Sequence, residues 1–208
     1  MGSLLTHPKR ARIDDLRMSD EERPRYLLEE FSRCEVDRDK TRVAAALKLP
    51  RGQDSKALQL AAREDCLEYG ALKFSDVLYR GTLFGELYRR QKGNHGDMTL
   101  LVPVVPLDWS APPPPPSAGE DILSHYFLLW MTDCVAKRKP AAVEGVVLNS
   151  AGSKQQAAAF AEVIPELGPC VPQNQTLTLT RATLEAAFGE YLYRSLVPAI
   201  SAPAGKAG

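Results

Sequence analysis

Three histidines, two tryptophans and a net charge of zero leave several kinds of chemistry poorly provided for in this 208-residue chain. Lysine and arginine total 26 and so do aspartate and glutamate, so the basic excess typical of nucleic-acid and polybasic membrane-surface proteins is missing. No stretch approaches the roughly 20 apolar residues of a spanning helix. G-x-S-x-G, H-E-x-x-H, Walker and G-x-G-x-x-G patterns do not occur, so no catalytic or cofactor-binding residue is assigned by motif. What is present is a globular composition, 44% apolar and 25% charged, which excludes a wholly disordered chain.

The charge is uneven. Residues 1–96 carry 19 basic and 16 acidic groups (net +3), while 97–208 carry 7 and 10 (net −3). The charge-poor half is expected to be the better shielded, with the first half covering it.

The chain also resembles itself. Leu27-Leu28-x-x-Phe31-x-x-Cys34 returns as Phe127-Leu128-x-x-Met131-x-x-Cys134, and Val43, Ala46 and Leu47 return as Val143, Val146 and Val147. Cys66 answers to Cys170, and Phe74–Arg89 to Leu179–Arg194, both ending in Leu-Tyr-Arg. A register drifting from 100 to 105 residues needs only small loop insertions, which predicts an internal duplication.

Each copy reads as helices, so the expected fold is all-α (mainly α), two tandem repeats of about four helices each. Ser19-Asp20-Glu21-Glu22 is a capping box, and Ser117-Ala118-Gly119-Glu120 offers the same device. Second helices are expected at Lys40–Lys48, stopped by Pro50, and at Pro140–Leu148. Third helices follow Asp54 and Ser153; the latter carries Phe160, Val163, Ile164 and Leu167 on one stripe and should end or kink before Pro165. Ser75 and Thr180 cap the last helices. Gln175–Leu179 alternates polar and apolar, which allows a short strand. Between the copies, Met98–Leu107 reads as an extended strap and Pro112–Pro116 as a stiff polyproline II spacer. The resulting organisation is an arm (1–18), a first repeat (19–92), an extended linker (93–118), a second repeat (119–197) and a tail (198–208).

Four cysteines, two per copy, are the one chemical signal. If each copy descends from a unit that folded alone, Cys34 should pair with Cys66 and Cys134 with Cys170. Loops of that length would contribute about 3–4 kcal/mol each in the chain-entropy model. The alternatives are four reduced thiols filling helix interfaces, or a zinc site, for which no C-x₂₋₄-C spacing exists. Disulfides would place the protein in an oxidising compartment.

The second copy, through Cys134–Val143, Cys170-Val171-Pro172, Gln175-Thr176-Leu177 and Leu192-Tyr193-Arg194, resembles a family of small exported bacterial proteins. Members carry two cysteine-bearing repeats after a signal peptide and have no assigned function. The resemblance covers about 70 residues of the second copy well and the first copy loosely. It implies export and paired cysteines, and supplies no catalytic residue. Met1–Arg17 holds no apolar leader core, so the exported reading needs a leader outside this sequence, and a cytoplasmic location is the alternative.

Other features have plain structural readings. His7 falls in the arm. His95 and Asp97 share the turn-like Gly93–Asp97, and His125 follows Ser124 on a helix. Asn149–Ser153 could hold an anion on backbone amides, or serve as an ordinary loop. Asn174-Gln175-Thr176 fits a glycosylation triplet. Tyr88 and Tyr193 should pack their rings and leave their hydroxyls to water or a carbonyl, while Arg89 and Arg194 complement helix C-termini. Lys9–Arg12, Arg89–Lys92 and Lys137–Lys139 read as solvated basic faces. The functional expectation is a non-enzymatic, periplasmic or secreted repeat protein that binds or scaffolds another protein, with no nucleic acid, membrane span, metal or cofactor. The alternatives are an enzyme with a site between the repeats using His95, Asp97 or His125, and a cytosolic adaptor.

Overall fold

A computed structural model describes residues 18–67, 73–95, 104–109, 111–171 and 179–197. Seven α-helices are found among them: α1 (Glu22–Leu47), α2 (Ser55–Ala61), α3 (Asp76–Gly93), α4 (Glu120–Arg138), α5 (Pro140–Leu148), α6 (Lys154–Leu167) and α7 (Arg181–Leu196). The fold is all-α, as the helical periodicities predict.

Most helix starts follow side-chain chemistry. Ser19 and Glu22 exchange the hydrogen bonds of a capping box before α1, and Ser75, Ser153 and Thr180 accept the N–H three residues on. The box expected at Ser117 does not form. Ser117 lies in the 3₁₀ turn Pro116–Ala118, and Gly119, with φ 97°, is the residue from which α4 starts. The positive φ of Gly119 places the turn two residues past the serine, and Glu120 and Asp121 meet the helix dipole instead. That turn also takes Pro116 out of the proline run, leaving the non-helical stretch Pro112–Pro115.

The separate helix expected at Lys40–Lys48 is the second limb of α1, beyond a kink at Asp39 (φ −153°, ψ 73°). The Asp39 carboxylate accepts the Arg42 N–H and so caps this limb. Lys139, one hundred residues on, has nearly the same backbone (φ −138°, ψ 61°) and divides α4 from α5. Pro140 follows it, and its missing N–H completes a break that Lys40 leaves partial. Pro165 does not end α6, which runs on to Leu167; its missing N–H frees only the carbonyl of Ala161, at an exposed position where water can reach it. Ile164, placed on the inward stripe by its spacing, is 46% exposed.

Burial repeats with the same register. Leu28, Phe31, Ser32, Val36, Val43, Ala46 and Leu47 are buried in α1, and so are Leu128, Met131, Thr132, Ala136, Val143, Val146 and Val147 in α4 and α5. The loops after these limbs both turn on a glycine of positive φ, Gly52 (89°) and Gly152 (77°). Cys34 on α1 is bonded to Cys66 in the 3₁₀ turn Glu64–Cys66, and Cys134 on α4 to Cys170 in the 3₁₀ turn Gly168–Cys170.

The most extensive helix contact joins α3 to α7. Gly81 meets Ala186 and, one turn on, Gly85 meets Gly189, so the two helices run the same way through the contact. A Cβ on Gly81 would sit 2.4 Å from the Ala186 backbone oxygen, and one on Gly189 2.7 Å from the Gly81 carbonyl. On Gly85 it would sit 3.7 Å from Val147, an ordinary contact. Gly81→Ala and Gly189→Ala should each cost about 3 kcal/mol, because backbone cannot step aside as a side chain can. Gly85→Ala should be neutral or stabilise by up to about 1 kcal/mol, since alanine is the better helix former. Denaturant midpoints of the three variants check the contrast.

The charge-dense first half is not simply a cover. Arg25, Glu29, Glu35, Asp54, Arg80 and Glu86 are buried, against Glu185 and Glu190 from the second half. Much of the first half's charge therefore lies inside, where the helices meet.

Candidate functional site

Two clusters of buried charge tie the halves together. In the first, Arg80 of α3 donates to the Asp54 carboxylate (2.9 Å) and to the carbonyls of Leu47 and Leu49, and lies 3.5 Å from Glu190 of α7. Glu190 also meets His125 Nε2 of α4 (2.9 Å) and Arg194 (2.8 Å). Burial alone would raise the Glu190 carboxyl, but His125, Arg80 and Arg194 together hold it well below the usual carboxylate range. One arginine thus satisfies the carbonyl end of α1 and closes α2, α3 and α7 on it.

The second cluster sits at α1, α3, the α5–α6 loop and α7. Arg25 of α1 donates to Glu185 Oε2 of α7 (2.7 Å) and to Gln156 of α6. Arg89 of α3 donates to Glu29 Oε1 (2.6 Å) and to the Val147 carbonyl (2.6 Å). Glu29 Oε2 accepts the Ala151 N–H at 3.0 Å. The Ala151 amide of the 149–153 loop is thus taken by the protein's own Glu29 carboxyl. Beside this cluster Arg25, Leu28, Leu78, Thr82, Ala182 and Glu185 line a shallow cleft with too little enclosed space for a small-molecule ligand.

The residues singled out in the sequence fall in different places. His125 is nearly buried against Glu190. His95 is exposed just past the end of α3 with φ 56°, and its expected companion Asp97 lies outside the described residues, as do His7, Lys9–Arg12 and Asn174-Gln175-Thr176. Gln175–Thr178 of the expected strand and Met98–Pro103 of the strap are also outside them. The Tyr88 hydroxyl donates to the Glu144 carboxylate (2.7 Å), not to water or a carbonyl, and Tyr193 is buried. Arg89–Lys92 is not a solvated basic face. Arg89 turns inward to Glu29, Arg90 holds Glu86 and Asp37, and Lys92 holds Glu144. Arg194 likewise does more than meet a dipole, since it also takes the carbonyls of Val105 and Pro106.

The buried carboxylates were missed by motif searching because no motif encodes them. One signal was available: Glu29 and Glu35 sit among Leu28, Phe31, Ser32 and Val36, on a stripe that the helical period turns inward. Arg80 and Glu185 interrupt the inward stripes of α3 and α7 in the same way.

A different surface is left open on α4. Phe127 and Trp130 stack with ring centres 5.8 Å apart, and Tyr126 meets Trp109 edge-on at 6.1 Å. Trp130 is 42% exposed and Trp109 37%. At the position of Trp130 the first half has Glu30, paired to Arg33. Among the described residues, no group of three or more His, Cys, Asp and Glu is placed to hold a metal, and no helix is long and apolar enough to cross a membrane. Compared with known families, curated proteins and solved structures, the chain matches none.

Proposed function

We propose that this is a duplicated helical module, stapled once in each half, that is exported and works by binding or scaffolding another protein of the envelope or extracellular space. The observation that carries the reading is the pair of disulfides at corresponding places, each joining a long helix to a 3₁₀ turn 32 or 36 residues later. Disulfides of this kind persist in oxidising compartments. The repeated kink at Asp39 and Lys139, the repeated glycine turns and the repeated burial support one unit copied. Its ionisable core is committed to joining helices, which favours a scaffold over catalysis. The aromatic face of α4 suits contact with a partner, because exposed tryptophan adds much apolar area at little entropic cost.

The test is made on the native protein in its own cells. Alkylation before and after reduction, on separated compartments, should find it outside the cytoplasm with no free thiol. Four alkylatable thiols in a cytoplasmic pool would contradict the reading. Trp130→Ala should then remove co-purification with the wild type's partner while leaving the melting temperature within about 1 °C, as surface changes of small free energy do.

A further inference from the structure

Glu29 of α1 and Glu185 of α7 come from opposite halves and converge on one guanidinium. Arg89 lies 2.6 Å from Glu29 Oε1 and 3.7 Å from Glu185 Oε1. Both carboxyls are buried, 1% and 8% exposed. The Arg25 side chain is spent on Glu185 Oε2 and Gln156. Arg89 donates to Glu29 and the Val147 carbonyl through Nε and Nη2, while its buried Nη1 makes no hydrogen bond. Glu185 Oε1 is left buried with no hydrogen-bond donor. An orphan acceptor of this kind is costly, and more so when it is charged.

We propose that Glu29 and Glu185 form a carboxylic acid–carboxylate pair, with the Glu29 hydroxyl donating to Glu185 Oε1, and that this shared proton makes the joint between the two halves sensitive to pH. The proton supplies the donor that Glu185 Oε1 lacks and removes one of two like charges from a dry site. Burial, reinforced by the neighbouring Glu185 carboxylate, pushes Glu29 up to about 8 against the pull of Arg89 and the Ala151 N–H.

The nearest other donor, Arg89 Nη2, stands 3.7 Å from Glu185 Oε1, beyond hydrogen-bond distance. On α3, Glu86 faces Arg89 at 3.8 Å and is itself held by Arg90 and by Arg33 of α1. On α7, Arg181 lies over the Phe160 ring of α6. From the α5–α6 loop the Ala151 N–H donates to Glu29, while the Val147 carbonyl of α5 is taken by Arg89 and Gln156 of α6 by Arg25.

The sign follows from linkage. Glu29 has its folded value above its ordinary 4.5, so the stability its proton contributes is complete below that value and is lost as pH rises towards about 8. Urea unfolding of the full chain between pH 5.5 and 7.5 reads the effect. The wild-type unfolding constant should rise close to tenfold per pH unit from this proton, since the folded state alone binds it there. Glu29→Gln keeps a neutral donor and should abolish that rise, and Glu185→Gln should flatten it by removing the like charge. His125→Gln, which alters the other cluster, should retain it. An unchanged slope in Glu29→Gln would overturn the proposal. Infrared spectroscopy of the folded wild type gives a second reading that needs no variant. A carboxylic-acid C=O band should be present at pH 6.5 and lost by pH 9.5, and its absence at pH 6.5 would equally overturn the pair.

Discussion

An Arg80→Ala variant should lose about 3–5 kcal/mol of stability, measured by urea unfolding at neutral pH. Arg80 is 4% exposed and reaches Asp54, Glu190 and two carbonyls that close α1. Removing it leaves the Asp54 carboxylate, which is fully buried, with the Gly52 N–H and a more distant Arg51 at 3.7 Å. Glu190 would keep His125 and Arg194, so most of the penalty falls on Asp54 and the freed carbonyls. Arg80→Lys should lose less, because it keeps the charge but not the fork that serves several acceptors at once. An alanine variant as stable as the wild type would mean that this cluster does not hold α2 and α7 in place.

Replacing either cystine by a pair of alanines should cost about 4 kcal/mol, from closing loops of 32 or 36 residues in the chain-entropy model. The effect should be similar for Cys34/Cys66 and Cys134/Cys170, because each ties a long helix to a 3₁₀ turn, the one after α2 and the other after α6. Losses of similar size would support two equivalent staples. The local packing differs somewhat, since Cys66 is 8% exposed and Cys170 2%. Part of any difference between the two variants would come from that.

The helices were legible because their signals are local. Ser19, Ser75, Ser153 and Thr180 carry the side-chain oxygen that a helix start needs, and Phe84, Leu87, Phe160 and Phe188 fall at the helical period. The cysteine pairing was legible only through self-similarity, since four cysteines by themselves allow three pairings. Ser117 misled because capping depends on where the backbone turns, and Gly119 turned it elsewhere. The buried charges were least legible. Arg89 and Arg90 are adjacent in sequence, yet one faces Glu29 in the core and the other reaches Asp37 near the surface. Which way a long side chain goes is set by the carboxylates that other helices bring to it, and that is tertiary information. Tyr88 shows the same limit, since Glu144, its partner, lies 56 residues away.

If each half is a copy of one stapled unit, each closes its own sulfur bridge. Mass spectrometry of peptides from the native, unreduced protein reads those bridges directly. The account predicts peptides linking Cys34 to Cys66 and Cys134 to Cys170. Linkage of Cys34 or Cys66 to either Cys134 or Cys170, or four unlinked cysteine peptides, would contradict it.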